Sequence, residues 1–418
     1  MAKVMVIGCG NVGSVGLHKM AQFPEIFSEI HVVARTREKL EKVKSSVSAK
    51  TAGKVELELQ PSYLDRWDLA MHLLFMVRPD LLIHWGHPYQ NLTLMKACLG
   101  AGVKYIDTAC YEREEELGFS HVLQWDMNER FKEAKLLALL GAGFDPGVTN
   151  VFCAYARDYL FDEVYTVDIL DCNAGTKDAK FKFAPNFDPE INLRELILPV
   201  RFWENGEWQE RGRLIDENPV KFDFFYPEAG RQQTCMIYHE EMESLVKHMP
   251  HLKRIRFFMT FGDSYLWHLR VLKNVGMTGI EPVEFEGYSI IPIKLLKALL
   301  PKGDDFNQTY TGKTCIGCVI SGIKDGKKKV VYIYQVCDHR EAFLETGGNA
   351  IGYTTAIPTV TAAKLLLEGR WGNGVTGVRN TEDSVFDSKV FLEELAKMGL
   401  PWTVKELEDV PEPLKNVF

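Results

Sequence analysis

The stretch Val4-Met5-Val6-Ile7-Gly8-Cys9-Gly10-Asn11-Val12-Gly13 decides the fold, because an apolar strand pattern runs directly into the motif GxGxxG. A helical pattern follows it over residues 12–23. Gly8 permits a tight turn, Gly10 lets a pyrophosphate approach the backbone, and Gly13 lets helix and strand pack closely. Asn11 and Val12 complete the loop, and the phosphates are expected at the helix N-terminus. The stretch predicts a dinucleotide site; the alternative is a glycine-rich turn without a ligand.

The end of the second predicted strand indicates which dinucleotide is bound. Ala34-Arg35-Thr36 lies there, with Arg35 22 residues beyond Gly13, and no acidic side chain is present for a ribose 2′-hydroxyl. Arg35 can stack on the adenine and pair with a 2′-phosphate, Thr36 can hydrogen-bond to that phosphate, and Lys39 adds charge. We therefore predict NADP(H) rather than NAD(H). The alternative is that Arg35 and Lys39 are ordinary surface cations.

The first 150 residues alternate short apolar runs with amphipathic stretches, which is typical of βαβ units in a parallel sheet. The predicted strands are 4–7, 30–34, 55–59, 81–85, 103–107 and 136–140. The predicted helices are 12–23, 36–46, 66–77, 92–101, 112–134 and 147–160.

Beyond residue 150 the pattern changes to β-branched and aromatic strands. The clearest element is a hairpin of 315–323 and 330–336 with Asp325-Gly326 as its turn, and a later helix is predicted over 358–369. The predicted fold class is α/β: a Rossmann-type doubly wound parallel sheet with an inserted α+β domain. Residues 1–150 and about 346–418 are assigned to the first domain, and 151–345 to the second.

Composition excludes several classes of protein. The 418 residues carry 49 Lys and Arg against 57 Asp and Glu, a net charge of -8, which disfavours a nucleic-acid partner. The nine cysteines have no framework spacing, which favours free thiols in a reducing cytoplasm. We expect no secretory signal and no membrane span. Cys315 and Cys318 form a single CxxC pair without further ligands nearby, so no metal is predicted.

Polar residues follow three predicted strands, at the edge of the sheet where ligands gather. These segments are 84–90, 107–112 and 141–147. Asp145 in the third segment is a candidate acid or base, or alternatively the N-cap of a helix that begins with Pro146. His84 and His87 lack a clear third ligand and are not assigned to a metal.

At this point the chain resembles the saccharopine dehydrogenase superfamily, and within it the carboxynorspermidine/carboxyspermidine dehydrogenase (synthase) family. The resemblance spans nearly the whole chain and is most specific after residue 170. The motifs that carry it include Gly143-Phe144-Asp145-Pro146-Gly147, Asp171-Cys172-Asn173-Ala174-Gly175, Tyr238-His239-Glu240-Glu241 and Leu272-Lys273-Asn274-Val275-Gly276-Met277.

The resemblance implies an NADPH-dependent reductive condensation of aspartate β-semialdehyde with 1,3-diaminopropane or putrescine, through an imine that is reduced by hydride. It implies Thr108 and Ala109 as further cofactor contacts, and a homodimer. The implied catalytic candidates are Asp145, Tyr111 and Cys172, of which Cys172 can equally be a small buried thiol. The implied ligands of the substrate carboxylate are Arg194 and Arg231. Asn173 is implied as a further substrate contact in the second domain, to which the resemblance assigns substrate binding and dimerisation. The implied contacts of the amine are Glu190, Glu240 and Asp171, and these three carboxylates can equally be structural.

The sequence leaves three points about the function and substrate open. Saccharopine reductase is an alternative function, and a non-catalytic NADPH-binding sensor is a more remote alternative. The two diamines differ by one methylene and are not distinguished. His84-Trp85-Gly86-His87 departs from the pattern expected of the family and puts the amine in doubt.

Overall fold

A computed structural model describes residues 2–177 and 182–417 of the chain. Eighteen strands are formed by these residues. They are β1 (Ala2–Ile7), β2 (Phe27–Ala34), β3 (Leu57–Pro61), β4 (Leu81–His84), β5 (Lys104–Asp107), β6 (Leu137–Leu140), β7 (Glu163–Asn173), β8 (Pro199–Glu204), β9 (Glu207–Arg213), β10 (Lys221–Tyr226), β11 (Gly230–Ile237), β12 (Arg254–Thr260), β13 (Val283–Phe285), β14 (Tyr288–Ile290), β15 (Lys313–Lys324), β16 (Lys327–Asp338), β17 (Gly377–Asn380) and β18 (Trp402–Leu407).

Fifteen α-helices connect and cover the strands within the same described ranges. They are α1 (Asn11–Met20), α2 (Arg37–Lys50), α3 (Trp67–Val77), α4 (Asn91–Ala101), α5 (Val122–Trp125), α6 (Asn128–Glu133), α7 (Val148–Tyr155), α8 (Pro189–Leu196), α9 (Glu241–His248), α10 (Asp263–Asn274), α11 (Pro292–Leu299), α12 (His339–Thr346), α13 (Ala350–Leu367), α14 (Ser388–Lys397) and α15 (Glu412–Lys415).

The first sheet is parallel and has seven strands in the order β17-β6-β5-β4-β1-β2-β3. This is the strand order of a dinucleotide-binding fold, extended by β17 at one edge. The inner strands β4 and β6 are wholly buried, as expected where helices cover both faces of a parallel sheet. The strand order reverses between β1 and β4, so ligands are expected in the crevice beyond the carboxyl ends of these two strands. The predicted Rossmann-type α/β fold is confirmed.

The second sheet is mixed and has nine strands, with the main order β10-β11-β12-β7-β15-β16-β18. Its centre is the predicted hairpin, now β15 and β16, in which Lys324 pairs with Lys327 across the turn. Asp325 and Gly326 both have positive φ, of 49° and 72°, as a two-residue type I′ turn requires. The predicted hairpin is confirmed, and each strand extends further than the apolar pattern indicated.

The tail beyond residue 346 is divided between the two sheets. β17 adds to the edge of the first sheet beside β6, as the expected return of the chain to the first domain requires. β18, however, pairs with β16 of the second sheet, and the carbonyl of Leu414 accepts a hydrogen bond from buried Arg256. The last segment therefore packs on the second domain, which the assignment of 346–418 to the first domain did not anticipate.

Residues 112–134 do not form the single helix that was predicted. Only the short α5 and α6 form there, and Glu112 pairs instead with Phe119 in an isolated bridge. The physical reason lies in another part of the chain, because buried Arg194 binds the Glu112 carboxylate and the carbonyls of Arg113, Glu114 and Glu116. These contacts hold residues 112–116 against α8 in a turn instead of a helix.

The helix predicted to start at Pro358 begins eight residues earlier, at Ala350 of α13. Asn349 caps it, since its side chain accepts hydrogen bonds from the N–H groups of Ile351 and Gly352. α13 is the one helix of the described ranges that is long and apolar enough to cross a membrane, and 78% of it is buried inside the protein. Burial of this extent is what a core helix shows.

Candidate active site

A cavity of about 1060 Å³ is lined by residues of both sheets and lies at the carboxyl ends of β1 and β4. Nine of the ten residues predicted to contact the cofactor line it. They are Gly8, Gly10, Asn11, Val12, Arg35, Thr36, Lys39, Thr108 and Ala109. The tenth, Gly13, lies behind them, and a Cβ there would meet the Gly8 carbonyl oxygen at 2.2 Å. Gly13 thus serves the close packing of α1 on β1 rather than ligand contact.

The start of α1 fits a pyrophosphate. Its N-cap is Gly10, which provides no side-chain cap, so the first N–H groups of the helix keep no side-chain acceptor. A Cβ on Gly10 would meet nothing within 4 Å, which leaves open space above this turn. Gly8 has φ +100°, and a Cβ there would lie 2.6 Å from the Trp85 carbonyl oxygen, so only glycine fits. Free donors and the helix dipole favour an anion here.

The far end of the cavity fits a 2′-phosphate. Arg35, Thr36 and Lys39 line it directly after β2, and none of these three is acidic. The Arg35 guanidinium lies 5.1 Å above the ring of Tyr63, another lining residue. The Thr36 hydroxyl makes no cap hydrogen bond to α2, which leaves it available to a ligand. A guanidinium, a hydroxyl and an ammonium are the donors that a phosphate monoester needs.

The position of Arg35 at the 2′-phosphate end of the cavity predicts that it distinguishes NADPH from NADH. Arg35→Gln should weaken NADPH binding by roughly 10- to 150-fold, which is the worth of one charge-assisted hydrogen bond, and leave NADH binding nearly unchanged. Fluorescence titration of both cofactors measures the two dissociation constants. Arg37→Gln is the matched control, because Arg37 is exposed, pairs with Glu41 and does not line this cavity. Equal losses for NADPH and NADH would contradict the assignment of Arg35 to the phosphate.

The floor of the cavity, where the two domains meet, is acidic. Asp145 and Asp171 both line it, and their buried carboxyl groups are hydrogen-bonded to each other. Burial, and then the charge of Asp171, raise the pKa of Asp145 well above its ordinary value. Burial raises the pKa of Asp171 to about 6. Burial and mutual repulsion therefore both favour a shared proton in this pair, and the Oδ2 atom of Asp145 is buried with no hydrogen-bond donor.

His239 organises the carboxylates beside this pair. Its Nδ1 atom hydrogen-bonds Glu241, its Nε2 atom lies 3.4 Å from Oε1 of Glu195, and its ring stacks on Phe257 with centroids 4.3 Å apart. Burial lowers the pKa of His239, but Glu241 and Glu195 outweigh this effect and raise the pKa well above its ordinary value. Burial raises the pKa of Glu195 to about 7. An imidazolium among buried carboxylates results.

His239 and Glu195 were not among the predicted site residues. The quoted motif Tyr238-His239-Glu240-Glu241 contained the first of them, so a signal existed. Glu195 is the last lining residue of α8 and had no distinguishing pattern, because a carboxylate in an amphipathic helix ordinarily faces water.

Glu240 and Asn173 do line the cavity, as predicted. Glu240 accepts hydrogen bonds from the backbone N–H and the thiol of Cys110, and burial raises its pKa to about 7. Asn173 donates to the Tyr310 hydroxyl at 2.7 Å and accepts from His339 at 3.0 Å. Glu190 lies just behind the lining residues, where it accepts from Tyr89 and pairs with Lys297.

Two predicted catalytic residues lie away from the cavity. Cys172 points to the opposite face of β7 from Asp171 and packs in a buried apolar cluster with Val200 and Phe202. Successive residues of a strand face opposite ways, so the two cannot both line one site. Cys172 is thus a core thiol, and burial raises its pKa. Tyr111 is half-buried outside the lining, and its N–H donates to Gln124.

The two arginines expected to bind the substrate carboxylate are also outside the cavity lining. Arg194 is 2% exposed and already bonded: Nε donates to Glu112 at 3.1 Å, and both terminal nitrogens donate to backbone carbonyls. Arg231 lies on the exposed edge hairpin of β10 and β11 and pairs with Asp223. The guanidinium of Arg194 is therefore occupied by acceptors of the protein itself, and that of Arg231 faces solvent outside the cavity.

The alternative roles of Asp145, His84 and the CxxC pair are resolved by their contacts. The N-cap of α7 is Gly147, so Asp145 does not cap that helix. His84 is buried, its Nδ1 atom accepts from the Gly86 N–H, and its Nε2 atom donates to the His87 carbonyl. Burial lowers the pKa of His84 to about 4, so its imidazole is neutral and stabilises the loop 84–87 through these two hydrogen bonds. Cys315 and Cys318 pack into different apolar clusters on opposite faces of β15.

His87 remains a cavity residue. Its Nε2 atom lies 3.7 Å from Oδ2 of Asp188, and its ring stacks on Tyr89. Burial lowers the pKa of His87. The departure from the expected family pattern therefore reaches the site through His87 and not through His84.

A Rossmann-type sheet, a phosphate-binding turn and a cation-lined 2′-phosphate site define an NADP-dependent oxidoreductase. Comparison with known proteins gives the family. The chain matches the saccharopine dehydrogenase NADP binding domain over residues 4–139 and the saccharopine dehydrogenase C-terminal domain over residues 143–400. The protein belongs to the saccharopine dehydrogenase family.

Curated relatives match nearly the full chain. A carboxyaminopropylagmatine dehydrogenase of Synechocystis sp. is 45% identical over 96% of this chain and 97% of its own. A carboxynorspermidine synthase of Vibrio alginolyticus is 39% identical, and one of Vibrio cholerae is 37% identical, each over 97% of both chains. Among solved structures, saccharopine dehydrogenase (L-Glu forming) of Saccharomyces cerevisiae has a TM-score of 0.70 at 12% identity over 97% of this chain and 100% of that one. That last likeness concerns the fold alone.

Proposed function

We propose that the enzyme uses NADPH to condense aspartate β-semialdehyde reductively with a primary amine that carries a second cationic group. The product is a carboxylated polyamine, which places the reaction in polyamine biosynthesis. The observation that carries the proposal is the hydrogen-bonded Asp145–Asp171 pair on the cavity floor, where burial raises the pKa of both carboxyl groups and raises that of Asp145 further. A pair of groups with separated pKa values is suited to acid and base roles in one site.

The proposed steps begin with proton transfer. Asp171 takes a proton from the substrate ammonium, and the free amine then attacks the aldehyde carbon to form a carbinolamine. Asp145 gives its proton to the carbinolamine hydroxyl, water leaves, and an iminium cation forms beside the newly ionised Asp145 carboxylate, which stabilises its charge. Asp171 keeps the proton that it took from the ammonium until the product amine takes it back. Bound NADPH supplies the hydride that reduces the iminium carbon to a secondary amine.

The remaining carboxylates suit the distal cation of the amine. Glu195 lines the cavity with its Oε1 atom buried and without a hydrogen-bond donor, although it lies within ion-pair distance of His239. A buried carboxylate oxygen without a donor is costly unless a ligand supplies one. Glu240 lies beside it and is anchored by Cys110 across the domain boundary.

The identity of the amine has two candidate classes. The sequence resemblance implies 1,3-diaminopropane or putrescine, and the two Vibrio relatives are named carboxynorspermidine synthases. The name carboxyaminopropylagmatine describes agmatine that bears a carboxyaminopropyl group, and the relative with this name is 45% identical. That identity, higher than those of the two synthases, favours agmatine as a second candidate amine.

The test is NADPH oxidation by the purified enzyme with aspartate β-semialdehyde and one amine at a time. The arms are 1,3-diaminopropane, putrescine, agmatine, glutamate and lysine. We expect turnover with at least one of the first three and none with the amino acids, because the floor carries carboxylates that repel a second anion. Turnover with glutamate alone would favour saccharopine reductase chemistry. NADPH binding without turnover in every arm would favour a non-catalytic sensor.

Assembly and location are further proposals. Segment 263–300 bears exposed large apolar side chains, Trp267, Tyr288 and Leu299 among them, and such surfaces commonly mark protein contacts. We propose that the protein is a homodimer, which a solution mass of one chain would contradict. A cytoplasmic location is proposed from the nine cysteines, all of which are free and buried.

A further inference from the structure

The proposed substrate contains an α-carboxylate, and neither predicted arginine is available to bind it. The arginine and lysine side chains that line the cavity are Arg35, Lys39, Lys177, Lys182, Lys297 and Lys302. Arg35 and Lys39 lie at the 2′-phosphate end, and Lys297 is neutralised by Asp188 and Glu190 at 2.9 Å and 3.1 Å. Lys182 and Lys302 are exposed to solvent. Lys177 is left as the partly buried cation of the cavity.

The surroundings of Lys177 contain no carboxylate among the described residues. Its Nζ atom donates to the Ala184 carbonyl at 2.6 Å and lies 5.3 Å above the ring of Phe306 and 5.7 Å above that of Tyr310. Burial alone lowers its pKa to about 8, so it is mostly charged at neutral pH. An ammonium has three donors, and one carbonyl leaves the others for a ligand. A charge removed from water without a counter-ion is costly, and an anionic ligand would offset that cost.

The position of Lys177 relative to the acidic floor fits an amino-acid substrate. Asp171, Asn173 and Lys177 follow one another along the chain at the end of β7, and all three line the cavity. Asn173 and Tyr310 are hydrogen-bonded, and Tyr310 is also one of the two rings under the ammonium. A cation at one end of this run and carboxylates at the other match a substrate whose carboxylate and amine-derived cation are at opposite ends.

We infer that Lys177 binds the α-carboxylate of the amino-acid semialdehyde, between the rings of Phe306 and Tyr310 and the acidic floor. This inference rests on the proposed function. The same anionic chemistry is present in the diphosphate of NADPH, so the experiment measures both ligands.

The experiment compares Lys177→Gln with wild type. We expect the KM for aspartate β-semialdehyde to rise by about 10- to 100-fold, with kcat changed far less and the Kd for NADPH unchanged. Lys177→Arg should recover most of the loss, because it restores the charge. Lys313→Gln is the matched control, since Lys313 is outside the cavity and pairs with Glu228.

A second measurement does not depend on turnover. Calorimetric titration of the NADPH-bound protein with L-2-aminobutyrate, which has the same α-amino carboxylate without the aldehyde, should show binding to wild type and a loss in Lys177→Gln. Equal binding to both proteins, or no binding to wild type, would overturn the inference. Weaker NADPH binding with an unchanged semialdehyde KM would overturn it in favour of the cofactor diphosphate. Wild type could bind L-2-aminobutyrate without any turnover, while Lys177→Gln does not bind it. That result would contradict the proposed reaction and support the carboxylate site.

Discussion

Replacement of Asp145 by asparagine is expected to lower kcat by about 10²- to 10⁴-fold while the Kd for NADPH stays nearly unchanged. Asparagine has the same shape and still hydrogen-bonds Asp171, but it has no proton to give to the departing hydroxyl. The residue lies on the acidic floor, away from the glycine turn and Arg35, so cofactor binding should not change. Steady-state kinetics with the accepted amine, together with NADPH titration, separate the two effects.

Asp223→Asn is the matched control, because the Asp223 carboxylate is exposed on the β10–β11 hairpin. We expect this substitution to leave kcat unchanged. Near-normal turnover of Asp145→Asn would remove Asp145 from the mechanism. A comparable loss of NADPH binding would instead assign it to cofactor positioning.

Arg194→Met is expected to destabilise the protein by about 3–5 kcal/mol, which is the usual cost of removing one partner of a buried ion pair. The change leaves the Glu112 carboxylate buried without its cation and removes the donor to the carbonyls of Arg113 and Glu114. These contacts join α8 of the second domain to the loop that follows β5, so the loss should appear in the unfolding of both domains. Urea denaturation followed by fluorescence measures it.

Arg231→Met is the control for this prediction, since an exposed pair with Asp223 is worth only about 0–1 kcal/mol. A second change, Glu112→Gln, should restore part of the stability of Arg194→Met, because it removes the uncompensated charge. Unchanged stability combined with a large rise in the semialdehyde KM would return Arg194 to the role of a carboxylate ligand.

The cofactor half of the site was predictable because its determinants are local in sequence. The glycines of the first turn, the apolar strand before them and Arg35 after β2 lie within one βαβ unit. Their spacing sets their geometry, since the turn, the helix start and the next strand follow in fixed order. The same is true of the β15–β16 hairpin, in which Asp325-Gly326 specifies the turn directly.

The substrate half was less predictable because it is assembled from distant segments. Asp145 was found, but the sequence left open whether it was a helix cap. Cys172 and Asp171 were both predicted as site residues. Which of these two neighbours faces the core and which faces the cavity depends on how β7 packs between β12 and β15. Arg194 carried the expected charge, but its partners lie about 80 residues away along the chain.

The sequence by itself determined the Rossmann fold, the NADP preference and the family, because short-range patterns and motif spacing encode them. Only the tertiary structure decided which polar side chains face the substrate. Burial and ion pairing depend on contacts between segments far apart in the chain, as the contact of Arg194 with Glu112 and that of His239 with Glu195 show. The same kind of contact leaves Lys177 without a carboxylate partner among the described residues, because the elements around it bring aromatic rings instead.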